Sequence, residues 1–392
     1  MNNNVIPGTD FIKDEISSLQ EEGLGVKSCI IIGGGLAGLS LSILLAQKKY
    51  SVLLIEKKNY PCHKVCGEYI SNESKDFLKR IDIPIHKMNL PVIHEVQITD
   101  VKNNIVSEKM EMGGFGISRF TLDKLLADRA REAGVVILEN TICNQYERKD
   151  DIYEVKTSHG IFKSRILVAG FGRHAFGNFY KPKRKHENWV GVKYHIKYDV
   201  AADKIALHTF KDGYCGISKV DDSRYCLCYL VRASLLNMYH NKIQDLERNE
   251  LYKNHFLKHI FENADFLFEK PLTISNITFD AKRPVADDVF YIGDSAGAIA
   301  PLTGNGMSNA MRSAWLLSME LDDFFQQKIS FQQLKEKYTQ SWNKAFKTRI
   351  NKGRLIQHFF CNQNLTSLFM GLMKRSKWLR RMIIKQTHGE PF

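Results

Sequence analysis

Apolar positions first cluster at Cys29–Ile32, a short run that ends in glycines, and recur at Val52–Ile55 beyond an apolar stretch of helical length. Short apolar runs bounded by turn residues predict buried strands, so "KSCIIIGGGLAGLSLSILLAQKKYSVLLIEKK" predicts a β-α-β unit. Farther on, Leu122, Leu125, Leu126, Ala130 and Ala133 keep helical spacing over 121–133, with Gly134 as the stop. Segments 135–138, 152–157 and 165–170 predict further strands. From about 181 to 274 the pattern changes to alternating, aromatic-rich runs such as "SRYCLCYLV", then a polar helical stretch from about 234 to 268. That predicts a second sheet with a helix over it. "DVFYIGD" returns to a buried strand, and Met307, Ala310, Met311, Ala314, Leu317, Leu321 and Phe324 mark a long helix after it. The last stretch, 331–392, predicts helix throughout, while 1–27 reads as a polar extension with a short helix around 11–19.

Composition narrows the class. The 392 residues are 44% hydrophobic and 25% charged, an ordinary globular balance. No apolar run approaches the roughly 18 residues of a membrane-spanning helix. The N-terminus has neither the basic start nor the apolar core of a secretory signal. Eight cysteines are too sparse for a disulfide framework, so a cytoplasmic protein is expected. The net charge of +13 gathers in "KPKRKH" at 181–186 and "KRSKWLRRMIIK" at 374–385. Solvated surface is the ordinary role of such clusters; the basic C-terminus leaves open contact with the inner membrane face or with a carrier-bound substrate. No nucleic-acid motif accompanies them, so no nucleic acid partner is expected. Nothing in the pattern fixes an oligomeric state.

Two motifs carry chemistry. Gly33, Gly35 and Gly38 form G-x-G-x-x-G between strand and helix, with Glu56 and Lys57 at the end of the second strand. The first glycine permits the turn, the second a close backbone approach to a pyrophosphate, and the third helix-strand packing. A carboxylate at Glu56 suits ribose hydroxyls. The second motif is "YIGDSAGAIAPLTGNGMSNAMRSA", where Gly293 and Asp294 end a strand and Gly304, Asn305, Gly306 and Met307 open a helix. Asp294 would accept from a polyol hydroxyl, and the helix N-terminus offers amides to an electron-rich ring edge.

Together these segments resemble the flavoprotein superfamily of aromatic-ring hydroxylases, geranylgeranyl reductases and flavin-dependent halogenases. The resemblance implies noncovalent FAD, with Gly293 and Asp294 at its ribitol and pyrophosphate and with Pro301, Gly304 and Gly306 beside the isoalloxazine. "SRFTLDKLLADRA" resembles the family helix that would bring Arg119 near the flavin. The implied fold is α/β: a Rossmann-like FAD-binding domain of glutathione reductase type, an inserted antiparallel-sheet substrate domain and a helical C-terminus. Its boundaries are 28–85, 112–180 and 275–330 for the FAD-binding domain, and 86–111 and 181–274 for the substrate domain.

Two departures shape the expected reaction. Hydroxylases carry Ala-Asp-Gly, a basic residue and a serine; here Phe171 and Ala175 replace the acid and the serine, while Gly172 and Arg173 remain. Direct reduction by NAD(P)H in the hydroxylase manner is therefore put in doubt, and the electron donor is NAD(P)H or another reductant. Halogenases carry Trp-x-Trp-x-x-Pro, whereas Trp189, Trp315, Trp342 and Trp378 lie far apart. The leading expectation is a monooxygenase that hydroxylates or epoxidises a small apolar aromatic or polyketide-derived molecule through a flavin C4a-hydroperoxide. The alternatives are a C=C reductase passing hydride from flavin N5, and a non-enzymatic flavin protein at a membrane surface.

"VCGEYIS" is similar to the Cys-Gly-Asp/Glu segment of geranylgeranyl reductases, whose cysteine faces the flavin cavity. That marks Cys66 and Gly67 as cofactor-facing, and Cys66, Glu68 and Tyr214 as pocket candidates. Tyr214 is what survives of the isoprenoid reductases' Tyr-x-Trp-x-Phe-Pro segment. Cys62 and Cys66 lack a second ligand pair at metal spacing, so no metal is expected. A redox pair, a flavin-facing thiol and a plain turn cysteine remain open readings for Cys66, with Glu68 holding the loop or lining the pocket.

Overall fold

The start of the chain folds as β1 (Lys27–Ile32), α1 (Leu36–Gln47) and β2 (Val52–Ile55), with Cys29 opposite Val52 and Ile32 opposite Ile55 in a parallel pair. α1 is buried from Leu36 to Ala46, which explains why its sequence is apolar all round rather than amphipathic. The computed structural model describes residues 26–173, 178–179, 188–279, 282–361, 363–387 and 389–392. The expected helix at 11–19, Ala175 and the basic cluster at 181–186 lie outside the described residues.

The chain continues through β3 (Tyr69–Ser71), α2 (Lys75–Arg80), β4 (Val92–Thr99), β5 (Ile105–Gly116), α3 (Arg119–Glu132), β6 (Val136–Leu138), β7 (Cys143–Lys149), β8 (Ile152–Thr157) and β9 (Gly160–Ala169). Then come β10 (Trp189–Lys197), β11 (Lys204–Phe210), β12 (Gly213–Lys219), β13 (Tyr225–Arg232), α4 (Ala233–Met238), α5 (Ile243–Asn249), α6 (His255–Asn263), β14 (Asp265–Phe266) and β15 (Leu272–Ile277). β16 (Val285–Ala286), β17 (Val289–Tyr291), α7 (Gly306–Phe325), α8 (Phe331–Cys361), α9 (Gln363–Arg375) and α10 (Lys377–Thr387) complete it.

One sheet has the order β16-β17-β9-β1-β2-β6, with β7 and β8 extending from β9. Its β17, β9, β1, β2 and β6 run parallel, as a Rossmann-like unit requires. The second sheet has the order β14-β10-β13-β12-β11-β4-β5-β3, with β15 also on β10. It departs from the expected antiparallel sheet at β4–β11, which pair in parallel with Glu95 opposite Lys204 and Thr99 opposite His208. β4 enters the sheet before the chain returns to the first sheet, and parallel partners need such a long crossover. β3 and the end of β5, within stretches assigned to the FAD-binding domain, also pair in this sheet.

Local chemistry corrects two other boundaries. α3 begins at Arg119 because Ser118 caps it, its hydroxyl accepting from the Thr121 N–H at 3.1 Å. The stretch 234–268 is not one helix: His240 and Asn241 turn the chain at φ +53° and +61°, and Asn254 caps α6 anew. The pieces α4–α6 cover one face of the second sheet, where Leu235, Leu246, Leu257 and Ile260 pack with Val192, Leu227 and Tyr229.

Candidate functional site

Three glycine-bearing segments meet at the C-terminal ends of the parallel strands. Gly33 has φ +106°, and a Cβ there would lie 2.6 Å from the Gly170 carbonyl oxygen and from the Phe171 Cα. A Cβ on Gly38 would lie 2.0 Å from the Gly33 oxygen, whereas one on Gly35 would meet nothing within 4 Å. The three glycines therefore serve a turn, a packing contact and an open approach. Glu56 is buried; it accepts from the Gly34 N–H at 2.7 Å and the Lys58 N–H at 3.1 Å, with lone pairs left for further donors. Tyr60 donates from its hydroxyl to the Gly34 carbonyl at 2.5 Å.

The 169–173 turn joins the 293–295 turn directly. Gly172 donates its N–H to Ser295 Oγ at 2.8 Å, and that hydroxyl donates to the Gly172 carbonyl at 2.9 Å. Arg173 Nε donates to Asp294 Oδ2 at 2.8 Å. Burial opposes the Arg173 charge, but Asp294 outweighs it and holds the guanidinium above its ordinary pKa. Gly304, at φ +69°, would set a Cβ 3.1 Å from the Tyr69 ring. The helix-opening motif thus touches the residue that follows Glu68.

Glu68 is the hub of the "HKVCGEYIS" loop. It adopts φ +57°, a left-handed conformation that costs a non-glycine residue about 1 kcal/mol or more. What holds it there is its carboxylate. Oε1 accepts from Lys193 Nζ at 2.5 Å and from the Arg119 N–H at 2.7 Å; Oε2 accepts from His195 Nε2 at 2.6 Å. Burial alone would raise the Glu68 pKa, but His195 and Lys193 together hold it below the ordinary carboxylate value. The Arg119 amide is at the first turn of α3, so the carboxylate also meets the positive end of that helix.

The loop backbone is tied to the second sheet. Cys226 donates its thiol to the Cys66 carbonyl at 3.2 Å, and Ser218 donates to the Gly67 carbonyl at 3.4 Å. A Cβ on Gly67 would meet nothing within 4 Å, so the loop is open at that point. Cys66 is half-buried, and its sulfur accepts from the Glu68 N–H at 3.5 Å. His63 stacks on Phe120 at 4.6 Å and meets His195 edge-on at 5.2 Å. Burial, and then the Lys193 charge, push its imidazole down to about 4.

Register explains why these side chains converge. Ser218 pairs with Cys226 and Cys226 with His195; Gly216 pairs with Cys228 and Cys228 with Lys193; Tyr214 pairs with Leu230 and Leu230 with Gly191. These three rows share the sheet face opposite α4–α6. The last row continues into an apolar wall that contains Tyr214, Trp189, Leu230, Ile277, Phe279 and Leu302. Tyr214 is buried, and its hydroxyl has no hydrogen-bond partner among the described residues.

The remaining expected residues fall unevenly. Asn305 is fully buried, and neither its amide nitrogen nor its oxygen has a partner among the described residues. Gly293, Asp294 and Gly306 border a cleft that Trp342 closes from α8. Pro301 starts the turn before Gly304. The Met307 side chain lies in the core, leaving only its backbone for a ligand, and the Lys57 side chain is exposed. Arg119 turns its guanidinium to Asp123, at 2.7 and 2.8 Å, where Lys64 joins at 2.9 Å. Sequence reasoning missed Lys193 and His195. Their signal was two polar residues on one face of the apolar strand "WVGVKYHIK".

Glu68, His195 and Cys226 bring ligand-type atoms within 4.8 Å of one another. As a metal site the set is poor: Lys193 and His195 already satisfy the carboxylate, and burial raises the Cys226 thiol well above its ordinary pKa. The eight cysteines are all free. A flavin dinucleotide is a better match for the site, given the open Gly35, the free lone pairs of Glu56 and the orphaned Asn305 amide.

Comparison with known proteins agrees with this fold. Residues 31–92 match the NAD(P)-binding Rossmann-like domain family. Conditioned medium factor receptor 1 of Dictyostelium discoideum is 23% identical over 373 residues, covering 86% of this chain and 72% of that protein. Digeranylgeranylglycerophospholipid reductase 1 of Methanothermobacter thermautotrophicus is 26% identical over 308 residues, covering 73% of this chain and 75% of that protein. Among solved structures, the flavin-dependent brominase Bmp2 superposes with a TM-score of 0.74 at 16% identity, covering 93% of each chain. PqsL, a probable FAD-dependent monooxygenase from Pseudomonas aeruginosa, superposes with a TM-score of 0.72 at 15% identity, covering 90% of this chain and 100% of its own. The fold is the one these flavin-dependent proteins share.

Proposed function

We propose that the protein is an FAD-dependent monooxygenase acting on an apolar aromatic or polyketide-derived molecule. The observation that carries this reading is the apolar wall of Trp189, Tyr214, Leu230, Ile277, Phe279 and Leu302 beside the Pro301–Gly306 turn. Bound FAD would supply oxygen activation from its reduced ring. Gly35, Glu56, Arg173, Asp294 and Asn305 would hold it, and the α7 N-terminus would face its electron-rich edge. The apolar wall excludes water and orients the substrate by shape, while the Tyr214 hydroxyl is a buried donor available to it.

A second reading, reduction of a carbon–carbon double bond, is favoured by one feature. Cys66 is a half-buried thiol on a loop fixed by Glu68, and its Sγ would lie toward the flavin. The similarity to a digeranylgeranylglycerophospholipid reductase supports the same reading.

Product mass separates the two. The photoreduced holoprotein is mixed with labelled oxygen and a panel of apolar phenols and polyenes. A product carrying one labelled oxygen is expected; a product heavier by two hydrogens with no label would overturn oxygenation in favour of reduction.

A further inference from the structure

We propose that the outer faces of α9 and α10 form a docking surface for an anionic lipid bilayer. The inward face of α9 is explicit: Thr366, Met370 and Met373 are buried, and the two methionines pack in the cluster that contains Tyr69, Tyr214 and Leu230. Opposite them, Leu368, Leu372 and Arg375 follow one another at helical spacing and are exposed. Leu368 is 63% and Leu372 49% exposed, and Trp378, in the first turn of α10, is 72% exposed. Large apolar side chains at such exposure on adjoining helices call for a partner.

The charges say which partner. Lys377 and Arg381 share α10 with Trp378, and Arg375 and Lys377 form no ion pair among the described residues. Arg381 reaches Glu108 at 3.6 Å yet remains 60% exposed. Meanwhile Lys374 and Arg380 are turned to β5 and its hairpin, through Asn104 and Glu108, and anchor the helices instead. A second copy of the chain in a two-fold dimer would set this cationic patch against itself. An anionic lipid surface answers both features, because leucine and tryptophan enter the headgroup boundary while arginine and lysine meet its charge. No helix among the described residues is long and apolar enough to cross a membrane, so the contact is peripheral. The same two helices pack against the apolar cluster that contains Tyr214, whose residues are proposed above to orient an apolar substrate. Docking itself does not depend on which flavin chemistry operates.

The test is cosedimentation of the full-length holoprotein with vesicles of phosphatidylcholine alone or mixed equally with phosphatidylglycerol. Binding to the anionic vesicles only, weakened by molar salt, is expected. It should fall about tenfold or more in Leu368→Ser/Leu372→Ser/Trp378→Ser and in Arg375→Glu/Lys377→Glu, whose exposed positions leave folding and flavin retention intact. Trp378 emission should shift to the blue on binding, and Trp378→Phe should abolish the shift. Equal sedimentation of wild type and both variants would overturn the proposal. So would a dimer or an acidic carrier-protein complex that forms through the same residues while vesicles stay unbound. Turnover of a water-soluble substrate without vesicles reads the flavin chemistry separately.

Discussion

The Glu68 carboxylate and the Lys193 ammonium lie 2.5 Å apart with both side chains fully buried. The first sits on a loop after the Rossmann-like unit and the second on β10, so this pair ties that unit to the second sheet. Removing one partner leaves the other charged without compensation, and Glu68→Ala should cost about 3–5 kcal/mol in chemical denaturation of the holoprotein. Combining Glu68→Gln with Lys193→Met should cost less than either charge deletion alone. The pH dependence follows from direction. Glu68 titrates below its ordinary 4.5, so its contribution is present above pH 4.5 and disappears as pH falls through the lowered value. Burial opposes the Lys193 charge, but the surrounding groups, Glu68 among them, hold its pKa above 10.5; its contribution is lost only as pH rises past that raised value.

On the opposite face of the second sheet, Glu247 accepts from the hydroxyls of Tyr194 at 2.9 Å and Tyr229 at 2.8 Å. Burial pushes its carboxyl up to about 7, against the tyrosines' opposing pull. The folded state then binds a proton that the unfolded chain has released, so stability should decline as pH rises from 4.5 to about 7. Glu247→Gln should flatten that slope and stabilise the protein at pH 8 by on the order of 2 kcal/mol, measured by urea titration across pH.

Asn305 offers a separation of cofactor binding from folding. Its orphaned amide gains nothing for the apoprotein, so Asn305→Ala should leave apoprotein melting unchanged or slightly raised. Flavin retention on dialysis should weaken by about tenfold or more, the loss expected for a buried hydrogen-bonding group. Unaltered flavin affinity would remove Asn305 from the cofactor site.

Cys66→Ala addresses the two reaction readings. If oxygen transfer is the reaction, turnover should change by less than about threefold, since the thiol is then only part of the wall. If Sγ delivers a proton to a reduced carbon, turnover should fall by about a hundredfold or more, with partial recovery in small-acid buffers. Flavin absorbance after gel filtration guards against simple cofactor loss.

Chelation should do nothing. With Lys193 and His195 already on the Glu68 carboxylate, dialysis against EDTA should leave thermal stability and turnover unchanged. Elemental analysis showing a stoichiometric metal with loss of stability on its removal would reverse that assignment.

What could be read from sequence was local. The roles of Gly33, Gly35 and Gly38 follow from strand, turn and helix over a short span, and a Cβ at each position meets a different fate. The contact between Tyr69 and Gly304 and the pairing of Glu68 with Lys193 are set by the way two sheets meet, which no local spacing encodes. The break of the 234–268 helix was missed because left-handed His240 and Asn241 look like ordinary polar helix surface. The parallel β4–β11 pair was missed because alternation fixes a strand's faces but not its direction.

β3 contributes only Tyr69–Ser71 to the edge of the second sheet, yet Tyr69 bears on Gly304 while Glu68 beside it grips α3 and β10. That short strand acts as a spacer gauge between the two layers. Substitutions that thicken or thin the Tyr69–Gly304 contact should therefore reset which molecules fit, without touching any group that reacts with them.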